Sequence, residues 1–469
     1  MTPLSLARIA GFVNGRLHGA DGAPLIEAVV TDTRRIDAED PRAQLFVALR
    51  GDNFDGHAHV ARAAELGVRA ALVARPLDVA LPQVVVADPQ AALGALAGAV
   101  QRARPAQVVA ITGSNGKTSV KQLAAAILAR HAATCFNPGN LNNEIGLPLS
   151  ILDAPEDAAF AVYEMGAGKP GDIAYLTAIA RPRIALVNNV APAHMERMGS
   201  LLGIADTKAA VYDALPADGT AVINADDAFA PYFAQRAHGR RLLRFGIDAT
   251  ADVAARDLRP DETGTRFVLA TPAGEVELAL PLAGRHNVRN ALAAASIALA
   301  AGVPLATIAD ALAAAEAVQG RLARHRLAGG ATLVDDSYNA NPGSLHAAID
   351  TLAVAKGERW LVLGDMRELG ADGAAMHAQA GARARAAGIA RLYALGPLSA
   401  EAVAAFGDGA RHFESHAALA AALVRDMEAA DPRTNPQPPV TVLVKGSRGS
   451  AMDRTVAALL DAQGTHDAA

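Results

Sequence analysis

Short apolar runs recur along most of the chain and alternate with longer stretches that are rich in alanine and leucine. The runs have the length of buried strands, and the stretches between them have the length and composition of helices. Such alternation is typical of parallel sheets that are covered by helices. The strands predicted in this way comprise residues 28–30, 45–49, 84–86, 108–111, 159–163, 184–188, 219–224, 332–334, 360–363, 392–395 and 440–444.

Two stretches depart from this alternation. Residues 242–282 alternate between apolar and polar positions, which is typical of antiparallel strands and predicts a β-rich flap. Residues 291–308 form a long uncharged run, but the sequence Gly302-Val303-Pro304 would end a helix partway along it. We therefore expect a buried helix, a turn and a second helix there, with no stable insertion into a membrane.

The order of these elements divides the 469 residues into three units of the α/β class. Pro105 ends a helical stretch immediately before a new strand, which indicates a linker. Gly320 opens a further series of strands and helices. We expect a small N-terminal α/β domain at residues 1–105, a central domain with a parallel sheet of the phosphate-loop ATPase type and the β-rich flap at 106–319, and a C-terminal Rossmann-like doubly wound domain at 320–469.

Composition narrows the possible partners and the compartment. The net charge is −5 and the sequence has no long basic block, so nucleic acid is not expected as a partner. Cys135 is the only cysteine, which excludes an intramolecular disulfide and fits a reducing cytosol. Arg8 and Asn14 interrupt the apolar positions near the N-terminus, so no signal peptide is expected. These features predict a soluble cytoplasmic protein, which we expect to be a monomer.

The strongest chemical signal is a glycine-containing turn between a predicted strand and a predicted helix. Small residues let backbone N–H groups close around phosphate oxygens, Lys117 adds a positive charge, and the Thr118 hydroxyl can ligate Mg²⁺. Ile111 stands where the standard motif has a glycine, so this loop is a shortened form. The residues predicted to bind nucleotide phosphates are Gly113, Ser114, Asn115, Gly116, Lys117, Thr118 and Ser119.

A phosphate loop also needs a metal site, and two side chains follow predicted strands at the matching edge of the sheet. Glu164 ends one strand, and His194 follows the next strand by a short loop. Either residue alone would be interpreted as a surface residue, but their shared position relative to Thr118 favours metal binding. Lys208 has the pattern of an ordinary exposed helix lysine.

Polar loops at other strand ends predict a binding rim. One contains Asn142 and Asn143, whose amide groups suit hydroxyls and peptide groups, although a tight loop alone would explain them. Three more loops belong to the third unit, at residues 335–342, 364–370 and 445–449. Because these three follow strands of one sheet, we expect them to lie side by side.

Together these motifs resemble the Mur ligases of bacterial cell-wall synthesis, and the resemblance covers nearly the whole chain in the family's order. The motifs that carry it are residues 112–119, 142–146, 164–166, 284–287, 320–321 and 335–342. Within the family, the runs at 335–342 and 363–370 are similar to those of the members that add D-alanyl-D-alanine to UDP-N-acetylmuramoyl-tripeptide. The resemblance implies an ATP-dependent peptide ligase that forms an acyl phosphate and releases the pentapeptide precursor, ADP and phosphate.

The resemblance also implies roles for individual residues. The N-terminal domain would hold the UDP end of the substrate, and Lys208 would be carbamylated and bind a second Mg²⁺ with Glu164 and His194. Ala210 stands where this subgroup commonly has a glutamate. The catalytic set would be Lys117, Glu164, His194 and Lys208. The further contacts implied are Asn287, Arg321 and Asp336 to ATP, and Thr33, Arg34, His57, Asn142, Asn143, Tyr338, Asn339 and Asn341 to the substrates.

Three other functions fit parts of the sequence. A folylpolyglutamate-type ligase would share the ATPase core but would not explain a separate N-terminal unit. A nucleotide switch would hydrolyse its nucleotide without small-molecule acceptors. A non-catalytic nucleotide-binding module would not need both Lys117 and Thr118.

Overall fold

The computed structural model describes residues 1–19, 24–37, 39–51, 53–192, 195–261, 263–430 and 439–463. It contains three main sheets, and each sheet is built from one continuous part of the chain. Helices cover the sheets, so the predicted α/β class is confirmed. The exact limits of the three domains stay a prediction.

The N-terminal part has a five-stranded sheet with the order β2-β9-β8-β5-β4. Four of these strands are parallel, and β2 pairs with β9 in the antiparallel sense. Strand β8 was absent from the sequence prediction, because its two alanines are better helix formers than strand formers. The elements are β1 Leu4–Ser5, α1 Leu6–Phe12, β2 Arg16–His18, β3 Leu25–Ile26, β4 Ala28–Val30, β5 Gln44–Val47, β6 Arg50–Gly51, β7 Phe54–Asp55, α2 Val60–Glu65, β8 Ala70–Val73, β9 Gln83–Val85 and α3 Pro89–Ala103.

The central part has a nine-stranded sheet with the order β11-β12-β10-β13-β14-β15-β16-β17-β18. Its elements are β10 Gln107–Thr112, α4 Lys117–Ala129, β11 Thr134–Phe136, α5 Gly146–Asp153, β12 Phe160–Glu164, α6 Asp172–Ala180, β13 Ile184–Val187, α7 Met195–Met198, α8 Leu201–Asp213, β14 Thr220–Asn224, α9 Ala230–Arg236, β15 Arg241–Gly246, β16 Val253–Pro260, β17 Thr265–Thr271, β18 Gly274–Leu280, α10 Arg285–Ala300 and α11 Leu305–Ala313.

The predicted β-rich segment forms the antiparallel edge of this central sheet, where β16, β17 and β18 pair in turn. The prediction was wrong for β15, which pairs in the parallel sense with both β14 and β16. Leu243 and Phe245 of β15 are buried on the face that α10 covers, whereas Arg244 is exposed. A parallel strand with one covered face therefore shows the alternation that usually indicates an antiparallel strand.

The C-terminal part has a six-stranded sheet with the order β19-β20-β24-β21-β22-β23, in which only β19 is antiparallel to its neighbour. Its elements are β19 Ala323–Arg326, β20 Thr332–Asp336, α12 Pro342–Ala353, β21 Glu358–Gly364, α13 Gly373–Ala386, β22 Arg391–Leu395, α14 Ser399–Phe406, β23 Ala410–Phe413, α15 His416–Ala429, β24 Val440–Lys445 and α16 Asp453–Gln463.

The uncharged run at residues 291–308 forms the buried part of α10, a turn and the start of α11, as predicted. Alanines dominate α10, and their small side chains let it pack closely against α4 and strands of the central sheet. Among the described residues, no helix combines the length and the apolar content that crossing a membrane requires.

The close packing of α13 against α14 can be tested by substituting a glycine at their contact. A Cβ atom at Gly381 would lie against the Ala402 carbonyl oxygen of α14, inside contact distance, whereas a Cβ at Gly11 of α1 would meet no atom within 4 Å. We expect Gly381→Ala to lower the free energy of unfolding by about 1–3 kcal/mol through overpacking. Gly11→Ala should raise it by about 0.5–1 kcal/mol, because alanine is the better helix former. Urea denaturation measures both, and equal shifts of the same sign would contradict the packing described.

Candidate active site

The phosphate loop joins β10 to α4, as predicted. Gly116 is the N-cap of α4 and has φ of 76°, and Gly113 has φ of 147°. These positive φ angles favour glycine and let the chain turn tightly into the helix. The loop is also held from outside, since the Ser114 hydroxyl donates to the Ala191 carbonyl (2.9 Å) and the Asn115 N–H donates to Oδ1 of Asn189 (2.8 Å).

Lys117 lies across this loop. Its Nζ donates to the carbonyl oxygens of Gly113 (2.9 Å) and Ser114 (3.4 Å). Burial lowers the pKa of Lys117, and the nearby Glu164 carboxylate opposes that shift. The ammonium group therefore lies over the turn where phosphate oxygens would bind.

Glu164 is the last residue of β12 and lies beside the loop, as predicted. The Thr118 hydroxyl donates to its Oε2 (2.8 Å), and Nδ2 of Asn142 donates to its Oε1 (2.7 Å). Burial would raise the pKa of Glu164, but the Lys117 and Lys121 ammonium groups outweigh it and hold the pKa below its usual value. A fixed, ionised carboxylate beside a hydroxyl is a suitable pair of oxygen donors for Mg²⁺.

Lys121 is a member of this site that the sequence analysis missed. Its side chain is fully buried, and Nζ lies 3.5 Å from Oε2 of Glu164. The same nitrogen donates to the carbonyls of Asn137 (2.8 Å) and Gly139 (3.1 Å). Lys121 follows Lys117 by four residues on one helix, which places both side chains on the same face. That spacing was the signal available in the sequence.

The prediction that Lys208 is exposed was wrong. Lys208 lies in α8 and is 4 % exposed, because α8 presents this face to the sheet and to the cavity beside Glu164. Burial, with a contribution from the Lys117 cation, lowers the pKa of Lys208 to about 7. A substantial fraction of this amine is therefore neutral near pH 7, the form that reacts with carbon dioxide.

The predicted metal set is only partly described. His194 lies outside the described residues. Across the parts of the chain that the structure describes, no group of three or more His, Cys, Asp and Glu side chains is placed to hold a metal ion. Thr118 and Glu164 are the predicted ligands that the structure brings together, and Lys208 would add oxygen donors only as a carbamate.

The residues predicted to bind nucleotide line one cavity of about 310 Å³, except for Gly113, which lines a second cavity. Asn287 of α10, Arg321 and Asp336 of β20 face the phosphate loop across it. The Arg321 guanidinium donates to the Thr118 hydroxyl (3.0 Å) and lies 4.5 Å from the centre of the Tyr338 ring. The central and C-terminal parts therefore form this cavity together.

A second cavity, of about 500 Å³, lies on the other side of the loop. Glu164 and Lys208 line it, together with four of the predicted substrate residues, Asn142, Asn143, Tyr338 and Asn339. Lys169, Arg197 and Arg448 add positive charge to its walls. The two cavities share Lys117 and Arg321, so a group transferred from one cavity could be received in the other.

Asn341, also predicted to contact substrate, lies in the nucleotide cavity instead. Its Nδ2 donates to Oδ1 of Asn115 in the phosphate loop (2.6 Å), and its Oδ1 accepts from the Ser344 N–H (2.9 Å) at the start of α12. Asn341 therefore joins the C-terminal part to the loop. The three C-terminal loops lie side by side as predicted, since the Ser447 N–H donates to the Asp365 carbonyl and the Ser447 hydroxyl donates to the Ala340 carbonyl (both 3.0 Å). Their role in binding stays a prediction.

The N-terminal residues Thr33, Arg34 and His57 line neither of these two cavities. Arg34 is exposed in a short 3₁₀ turn and pairs with Asp32. His57 is buried, with Nδ1 2.5 Å from Oδ1 of Asp55 and Nε2 accepting from the Ala74 N–H (2.8 Å). The His57 ring therefore stabilises its own loop. Its position gives no support to the predicted contact with substrate.

The fold and site define a phosphate-loop nucleotide-binding protein with an α/β unit on either side of the nucleotide domain. Residues 111–298 match the model of the Mur ligase middle domain, and residues 320–448 match that of the Mur ligase glutamate ligase domain. The chain is 44% identical to the UDP-N-acetylmuramoyl-tripeptide–D-alanyl-D-alanine ligase of Escherichia coli K12, over 98% of this chain and 99% of that protein. The chain belongs to the Mur ligase family, as its motifs predict.

Solved structures agree with this assignment. The fold is similar to a crystal structure of MurF from Acinetobacter baumannii, with a TM-score of 0.91, 32% identity and coverage of 98% of this chain and 99% of that one. It is also similar to MurF from Thermotoga maritima in complex with ADP, with a TM-score of 0.81, 26% identity and coverage of 93% and 98%.

The role of the tight turn in phosphate binding can be tested at Gly116. A Cβ atom there would lie 2.5 Å from Oδ1 of Asn290 and 2.6 Å from Nδ2 of Asn188. We expect Gly116→Ala to raise the Kd for ADP by about tenfold or more, because the loop must shift from its phosphate-binding shape. Gly139 also has a positive φ, of 53°, but open space around it, so Gly139→Ala is the matched control. Calorimetric titration with ADP measures both, and equal Kd values for the two variants would contradict the role of the turn.

Proposed function

We propose that this protein joins D-alanyl-D-alanine to UDP-N-acetylmuramoyl-tripeptide at the expense of ATP, giving the pentapeptide precursor of peptidoglycan, ADP and phosphate. The main support for the proposal is that two cavities share Lys117 and Arg321 in their walls. The phosphate loop lines one cavity, and Glu164 and several cationic side chains line the other. The 44% identity to a ligase of that name supports the choice of substrates.

The reaction needs ATP because a carboxylate is a poor electrophile toward an amine. Lys117 and the loop N–H groups hold the β- and γ-phosphates, so Nζ of Lys117 leaves the Gly113 carbonyl when nucleotide binds. A carboxylate oxygen of the tripeptide attacks the γ-phosphorus, ADP leaves, and an acyl phosphate forms. The dipeptide amine then attacks the acyl carbon, the new C–N bond forms, and phosphate leaves with that carboxylate oxygen.

The oxygen donors beside the loop fit Mg²⁺. Thr118 and Glu164 would hold one ion, because a hydroxyl and an ionised carboxylate only 2.8 Å apart suit its preference for oxygen ligands. A second ion would be held by Glu164, His194 and Lys208 as its carbamate. When bound, these ions neutralise negative charge on the phosphoryl group and the substrate carboxylate.

Each of the three predicted domains would bind a different part of the reactants. Residues 1–105 would hold the UDP end of the substrate through Thr33 and Arg34, residues 106–319 would bind ATP, and residues 320–469 would bring the dipeptide. Asn142, Asn143, Tyr338 and Asn339 would contact the peptide substrates, since they line the cavity beside Glu164. We propose a monomer that acts in the cytoplasm, where its nucleotide substrates are made.

The first test measures ADP release with each substrate omitted in turn. We expect release only when ATP, the tripeptide and the dipeptide are all present, or at most a single turnover without the dipeptide. Steady ADP release without acceptors would instead support a nucleotide switch.

The role of Lys117 is tested by substitution. Lys117→Ala should lower kcat by about 10²-fold or more, because the phosphates lose their cation, with little change in the thermal midpoint. Near-normal turnover of Lys117→Ala would contradict the scheme.

The second test concerns Lys208. Lys208→Ala should abolish activity, because the variant lacks the carbamate oxygens, and formate or acetate should restore part of the rate by occupying the vacated space. Initial rates with and without the acid measure the rescue. Wild-type protein and Lys356→Ala are the controls and should not respond to the acid, because Lys356 is exposed and lines neither cavity. Loss of activity with no rescue would count against carbamylation.

A further inference from the structure

Lysine is rare in this chain and concentrated at the two cavities. Only six of the 43 lysine and arginine residues are lysines, so arginine supplies positive charge almost everywhere else. Lys356 is exposed and lines neither of the two cavities. The other five line a cavity or contact Glu164, and they are Lys117, Lys121, Lys169, Lys208 and Lys445. Lysine differs from arginine in presenting a compact, single-nitrogen cation, so the contacts of these five side chains are of interest.

Lys445 is one of the members of this group that have no role in the proposed reaction. It ends β24, and its side chain is 3 % exposed. Its Nζ lies 2.5 Å from Oδ2 of Asp336, the residue next to it on the parallel strand β20. The same nitrogen donates to the carbonyl of Asn339 (3.0 Å). The compact ammonium group thus serves both acceptors with one nitrogen, whereas a guanidinium is larger and planar.

These two acceptors belong to the turn by which the C-terminal part meets the nucleotide cavity. Asp336 begins the turn and lines the cavity together with Lys445. Asn341 ends the turn and donates to Asn115 of the phosphate loop (2.6 Å). One ammonium group therefore fixes the start of the turn directly and its middle through the Asn339 carbonyl.

The central part of the molecule contains the same arrangement. Lys121 lies 3.5 Å from the carboxylate of Glu164, which ends β12, and donates to two carbonyls of a neighbouring turn. Asn142, just beyond that turn, donates to Glu164. Glu164 and Asp336 thus each lie beside a buried lysine that also donates to a carbonyl of a nearby turn.

We propose that Lys445 is a positioning residue for nucleotide binding, acting by orienting Asp336 and holding the Asp336–Asn341 turn against the phosphate loop. The proposal rests on the proposed function only in requiring that this cavity binds ATP or ADP. The competing explanation is a direct contact between Lys445 and a phosphate. The two explanations differ in whether the effect of Lys445 depends on Asp336.

A double-mutant cycle on the full chain separates them, with ADP as the probe and calorimetry as the readout. Lys445→Met should raise the Kd for ADP by about tenfold or more, because it leaves the largely buried Asp336 carboxylate without its ion-pair partner. Asp336→Asn removes that charge and should weaken binding by itself. In the Asp336→Asn background, the further change Lys445→Met should alter the Kd by less than about twofold.

Three outcomes would overturn the proposal. Effects that multiply in the double variant would indicate a direct phosphate contact. An unchanged Kd for Lys445→Met would show a role in stability alone, and equal losses in Lys445→Met and the control Lys356→Met would show an effect of net charge. The double variant guards against misfolding, since removing both charges leaves no unpaired charge. Failure of the wild-type protein to bind ADP would instead contradict the nucleotide site itself.

Discussion

The register between β10 and β12 is the constraint on which the site depends. These parallel strands pair Ile111 with Glu164, so the phosphate loop and the carboxylate leave the sheet at the same edge. The Thr118 hydroxyl then reaches Glu164 at 2.8 Å. A shift of one residue would turn the Glu164 side chain to the opposite face and separate it from the loop.

Several cationic side chains surround the Thr118 hydroxyl and the Glu164 carboxylate. Lys117 and Lys121 hold Glu164 ionised despite its burial, and Arg321 approaches the same Thr118 hydroxyl. Such an excess of positive charge is costly in a protein interior unless an anion occupies the site. The arrangement is therefore suited to a ligand with several negative charges, as ATP and a carboxylate substrate would supply.

The sequence predicted those parts that depend on local pattern. The phosphate loop, the position of Glu164 at the end of its strand and the two helices at residues 291–308 were all predicted, because each is determined by residues close together in the chain. The burial of Lys208, the role of Lys121 and the parallel pairing of β15 were not. They depend on which face of a helix or strand is covered by elements distant in sequence. A single sequence carries little information about which distant elements pack together.

The proposed reaction requires that the substrate carboxylate is phosphorylated before the amine attacks. Its most direct test is to supply the tripeptide with its reacting carboxylate labelled with ¹⁸O and to analyse the phosphate released by mass spectrometry. Transfer of a labelled oxygen into each phosphate formed would agree with an acyl phosphate. Phosphate that carries no label, with peptide bond formation proceeding normally, would contradict it.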